Sequence, residues 1–192
     1  SGPVDVDRFP EIRMPPLYPM LLAASFKALR PTFDPGMNWK IYDPESIAIL
    51  PLACLLIIGM AALMTGLAGR LFGWRVAGTA LAVFVLSETV YMAGVSGTSA
   101  ILDMLLTTVT FGGVVRAIGL RSRQAPTVLW CVVVVVSGAC CGLAVLSNYG
   151  LLAIAPAAMF LLGLSLQRWR WTAMSLFLLA LVIVLVPWMA RN

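Results

Sequence analysis

The chain has 192 residues, of which 61% are hydrophobic and 11% charged, with a mean hydropathy of +0.97 and a net charge of +5. That composition excludes an ordinary water-soluble domain and points to a multi-spanning membrane protein. The positive balance does not indicate nucleic-acid binding, because the basic residues form no single patch with interleaved aromatics.

Residues 1–45 differ from the rest. They hold Asp5, Asp7, Glu11, Asp34, Asp43 and Glu45, six of the eight acids, together with prolines at 10, 15, 16, 19, 31, 35 and 44. Residues 1–14 are polar and lack the apolar core of a signal peptide. Because the chain starts at Ser1 without a methionine, it is expected to be a fragment or processed piece that lacks an earlier transmembrane helix. Within this region 17–30 is apolar but too short to cross a bilayer, and it ends on Lys27 and Arg30. It is expected to form a helix at the membrane interface or packed on the bundle. Trp39 and Tyr42 suit an interfacial aromatic belt before the first span.

Six apolar runs follow, at 46–69, 76–95, 99–117, 127–147, 149–166 and 171–190. Each is about 18–24 residues, enough at about 1.5 Å per residue to cross a hydrocarbon core of about 30 Å. The arginines between them fall in three clusters, Arg70 and Arg75, then Arg116, Arg121 and Arg123, then Arg168 and Arg170. The intervening turns, 96–98 and Asn148, carry no charge. Arginine in short loops marks the cytoplasmic side, so both ends of the chain are expected outside. Trp74, Trp169 and Trp171 are read as anchors on the arginine side. The runs are rich in small residues, among them Gly59, Gly66, Gly69, Gly112, Gly113, Ser137, Gly138 and Gly142, which lets helices approach closely in lipid. The expected fold is therefore an all-α polytopic bundle of six transmembrane helices at 46–192, preceded by an outer loop at 1–45.

The chemistry available is limited. Histidine is absent, which removes His-based triads and the commonest metal ligand. Cys54, Cys131, Cys140 and Cys141 all lie in apolar runs without a CxxC pair, so they read as packing residues, with neither a disulfide framework nor a zinc site expected. Two carboxylates remain in the spans. Ionisable groups in a membrane are costly, by about 2.5–3.5 kcal/mol on insertion scales, so each is a candidate for function. Measured from Gly97, Asp103 lies about 9 Å and Glu88 about 13 Å below the same uncharged turn, so the two could line one outward-facing cavity. The plainer readings are a helix-start acid for Asp103 and a hydrogen bond to a neighbouring helix for Glu88.

The turn from Gly94 to Asp103 (GVSGTSAILD) resembles a stretch in membrane glycosyltransferases of the C superfamily (GT-C), the relatives of dolichyl-phosphate-mannose–protein mannosyltransferase and aminoarabinose transferase. There it follows the third transmembrane helix and ends in an acid at the outer start of the next. Four more stretches agree in order. Arg13 to Pro19 (RMPPLYP) is similar to an outer-loop RPPLYP element, with Met14 inserted after the arginine. Gly69 to Arg75 (GRLFGWR) is similar to a cytoplasmic turn, Gly142 to Tyr149 (GLAVLSNY) to a GLA-LTK-Y stretch, and Pro187 to Asn192 (PWMARN) to a helix end. Asn148 stands where relatives often carry lysine. The family's principal catalytic acid lies early in the first outer loop and is expected upstream of Ser1; Asp5 and Asp7, close to the PPLYP element, are expected to be later loop residues.

The resemblance implies transfer of a sugar from a polyprenyl-phosphate donor to an acceptor protein or lipid glycan outside the plasma (inner) membrane of a bacterium. In that reading Asp103 is the catalytic acid of this segment, and Glu88, Arg13, Tyr18, Tyr149 and Arg191 bind substrate. Arg191 would meet the lipid phosphate; its plainer reading is an arginine reaching from a helix end to the interface. No metal-binding residue is expected, although the family resemblance leaves a divalent metal requirement open. The partners expected are the bilayer, the lipid-linked sugar and the acceptor, with no nucleic acid. The alternatives are a transporter or flippase subunit with an intramembrane carboxylate site, and a non-catalytic membrane scaffold.

Overall fold

The computed structural model describes residues 15–29, 44–95, 98–122 and 126–191. The order is α1 (Leu17–Leu29), α2 (Pro44–Phe72), α3 (Trp74–Leu86), α4 (Glu88–Val95), α5 (Ala100–Ser122), α6 (Thr127–Ser147), a short 3-10 helix (Tyr149–Ala153), α7 (Ile154–Ser165) and α8 (Arg170–Arg191). No strand occurs among the described residues. Arg13, Asp5, Asp7, Trp39 and Tyr42 lie outside the described residues.

Four helices are long and apolar enough to cross a membrane: Ile49–Phe72 within α2, α5, α6 and α8. The run expected as one span at 76–95 is instead two helices, α3 and α4, bent by 57°. The break sits at Ser87, which is extended (φ −74°, ψ 112°) and closes α3 by donating its N–H to Phe84. Its carbonyl accepts from Val90 and Tyr91, so the same residue ends one helix and opens the next. Serine favours this boundary position, and Glu88 immediately after it meets the positive end of α4.

The run at 149–166 also differs from a uniform span. Its five 3-10 residues at about 2.0 Å each and twelve α-helical residues at about 1.5 Å each cover roughly 28 Å, close to a hydrocarbon core. The stretched first turn lets a 17-residue segment, Tyr149–Ser165, join the two ends of the bundle.

The helix register follows from the tight contacts. On α5 and α6, Gly113 meets Ser137 while Asp103 meets Asn148, so the two run antiparallel. On α6 and α8, Gly138 lies against Phe177, Gly142 against Leu181 and Val184, and Tyr149 against Trp188. These pairs keep one offset along both chains, so α6 and α8 run parallel. A side chain on Gly138 would strike the backbone of Phe177, which is why a small residue is needed at that crossing. Gly59 lies against Leu105 and Gly112 against Leu67, which makes α2 parallel to α5. Gly73 permits the tight α2–α3 reversal with its φ of 89°.

The arginine-bearing ends of α2 and α5 and the start of α8 therefore gather at one end of the bundle, with Asp103, Asn148 and Arg191 at the other. The core of α5 to α8 contains Val114, Trp130, Cys141, Leu162 and Phe177. Thr110 and Ser137 are buried in this apolar setting because each hydroxyl donates to the carbonyl one turn back, Leu106 (2.8 Å) and Val133 (2.7 Å). α1 packs on the bundle, with Leu17, Tyr18 and Leu21 against the cluster of Leu102, Leu106 and Ala144. Cys54 is exposed on α2, unlike the buried Cys141, so the packing role expected of all four cysteines fits it poorly. Trp74 and Trp171 are exposed at the arginine end, while Trp169 is drawn onto the core and pairs with Trp130.

Candidate functional site

Asp103 lies in the first turn of α5 and is buried. Its backbone N–H bonds the Ser99 carbonyl at 2.9 Å, and the Ser99 hydroxyl donates to Asp103 Oδ2 at 3.2 Å. Spacing of four residues makes both contacts possible within one helical turn. A second donor arrives from α6: Asn148 Nδ2 lies 3.2 Å from the same oxygen. Among the described residues Asp103 Oδ1 is buried without a hydrogen-bond partner, as is Ser147 Oγ at the last residue of α6. The carboxylate thus has one oxygen tied down by two donors and one acceptor position uncommitted.

Asn148 is held in turn. It caps α6 in an extended conformation, and its Oδ1 accepts from Gly150 N at 3.0 Å, opening the 3-10 helix. The neighbouring Tyr149 hydroxyl accepts from Trp188 Nε1 at 3.1 Å. Arg191 is exposed one turn further along α8. Tyr18 packs beside Leu102, the neighbour of Asp103, and burial raises its phenol above the ordinary value of 10.0. Four of the expected site residues, Asp103, Tyr18, Tyr149 and Arg191, therefore share one end of the bundle.

Glu88 is exposed at the first residue of α4, whereas Asp103 is buried with Ser99 and Asn148 as its partners. Sequence reasoning singled out Asp103 but missed Ser99 as its partner and Trp188 as the partner of Tyr149. The Ser99–Asp103 spacing was a usable signal; Trp188, paired across helices, had none. Among the described residues no group of three or more His, Cys, Asp or Glu could hold a metal ion.

The long apolar helices define a multi-pass membrane protein. No family model, no curated protein and no solved structure matches this chain.

Proposed function

We propose that the chain forms the transmembrane core of a GT-C-type integral membrane glycosyltransferase, moving a sugar from a polyprenyl-phosphate donor to an acceptor on the extracytoplasmic face. The observation that carries this reading is the uncommitted Oδ1 of Asp103, buried at the bundle end that also holds Tyr149 and Arg191. In the reaction an acceptor hydroxyl attacks the anomeric carbon, the bond from that carbon to the phosphate oxygen breaks, and the acceptor proton passes to Asp103. The departing polyprenyl phosphate keeps the electron pair. Arg191 and the Tyr149 hydroxyl neutralise it. Tyr18 lines the approach; Arg13 remains a substrate-binding assignment drawn from the resemblance, and Glu88 one drawn from its place as a carboxylate within an apolar run. In this reading the Asp103 end faces outward from a bacterial inner membrane, with both termini on that side.

The test is sugar transfer from a polyprenyl-phosphate donor in membranes expressing the protein. Asp103→Asn is expected to abolish transfer at unchanged expression and unchanged thermal unfolding. Transfer at the native rate in that variant would remove Asp103 from the chemistry.

The break at Ser87–Glu88 favours a second reading, a transporter whose interrupted span presents a carboxylate. Solute uptake into vesicles that is lost in Glu88→Gln and kept in Asp103→Asn would support it over the first.

A further inference from the structure

At the arginine end, Arg121 of α5 stacks on two tryptophans from other elements. Its guanidinium carbon lies 4.2 Å from the ring centre of Trp169, in the α7–α8 turn, and 5.8 Å from that of Trp130, near the start of α6. The two indoles meet edge to face at 6.3 Å. Arg121 is half-buried and Trp130 fully buried. A guanidinium carries five N–H donors. No hydrogen-bond acceptor or carboxylate among the described residues meets those donors. The Trp130 indole N–H is likewise buried without an acceptor.

The sequence supplies no remedy nearby. Between residues 46 and 192 the only acids are Glu88 and Asp103. Asp103 is at the opposite end of the bundle, and Glu88 is separated from Arg75 by the length of α3. Arg168 and Arg170 flank Trp169, both exposed, and Arg170 itself lies over Trp171 at 5.2 Å. Among the described residues the corner is therefore rich in donors and has no counter-charge. A half-buried guanidinium left without an anion is costly, and the fork of its N–H groups matches two phosphate oxygens.

We propose that the Arg121–Trp130–Trp169 cluster is a seat for the phosphate of an anionic phospholipid headgroup. The two indoles hold the guanidinium at the arginine end, and the exposed Arg168 and Arg170 add charge at the rim. This site is independent of the sugar-transfer reading, since it occupies the other end of the bundle.

The experiment is native mass spectrometry of the detergent-solubilised protein, titrated with phosphatidylglycerol or phosphatidylcholine, with and without inorganic phosphate. The first phosphatidylglycerol is expected to bind at least about tenfold more tightly than phosphatidylcholine, and millimolar inorganic phosphate should leave it in place. Arg121→Gln is expected to remove that preference, and Arg75→Gln, with the same loss of charge outside the cluster, to keep it. Arg121→Lys retains the charge without the planar fork and should bind about as weakly as Arg121→Gln, which keeps the test decisive if the glutamine variant misfolds. Equal loss in the Arg75 and Arg121 variants, native binding by Arg121→Lys, or displacement by inorganic phosphate would each overturn the assignment.

Discussion

Asn148 and Asp103, 45 positions apart in the chain, meet through a hydrogen bond of 3.2 Å from the Asn148 amide to the Asp103 carboxylate. The same amide accepts from Gly150 N. One side chain therefore ties the start of α5 to the end of α6 and to the 3-10 turn that follows. Replacing it with alanine removes a donor from a buried carboxylate and the cap from the turn. Asn148→Ala is expected to lower stability by about 1–3 kcal/mol, and Asn148→Lys to recover much of it because an ammonium can serve the same carboxylate. Unfolding in mixed micelles measures both. An alanine variant as stable as the native protein would show that this bond contributes nothing.

Gly138 and Gly142, one turn apart on α6, set the approach of α8. An added methyl at Gly138 would strike the Phe177 carbonyl, and one at Gly142 would lie 2.9 Å from Val184 Cβ. Gly138→Ala is expected to cost about 1–3 kcal/mol through forced separation of the two helices. Gly66→Ala on α2, where nothing lies within 4 Å, should be neutral or slightly stabilising. Equal effects at the two positions would refute the close-packing argument.

Trp188 and Tyr149 hold the C-terminal end of α8 to the turn after α6. A double-mutant cycle with Trp188→Phe and Tyr149→Phe is expected to give a coupling energy of about 0.5–1.5 kcal/mol. Additive single effects would mean that the bond is not formed in the membrane.

Burial raises the Tyr18 phenol above its ordinary 10.0, so the packed state prefers the neutral form. Its contribution to docking α1 is present in full below that ordinary value and is lost as pH rises through the higher folded value. Phenolate absorbance, compared between the native protein and Tyr18→Phe, should show a component titrating above the ordinary range. A Tyr18 component at or below 10.0 would contradict the packing of α1 against Leu102 and Leu106.

Much of the bundle was legible in the sequence because membrane insertion depends on local properties. Apolar length marks a span, and arginine marks a span end, whatever the neighbours do. On that basis α2, α5, α6 and α8 were found close to their observed limits, α1 was seen as too short to cross, and the arginine clusters were assigned to one side. The break at Ser87 was missed because a 20-residue apolar run looks continuous by composition. The local signal, a serine followed by glutamate within that run, was read only as an isolated carboxylate. Trp169 was taken for an interfacial anchor because its position in a short arginine loop said nothing of Trp130.

What the sequence determined alone is that this is a helical membrane protein with one arginine-rich end and a single acid at the start of α5. Which groups meet that acid, and which small residues face α8, depended on the antiparallel pairing of α5 with α6 and the parallel pairing of α6 with α8. Those pairings bring together residues tens of positions apart. No local preference encodes them: in lipid they are selected by close backbone packing and by the need to satisfy polar groups where water is absent.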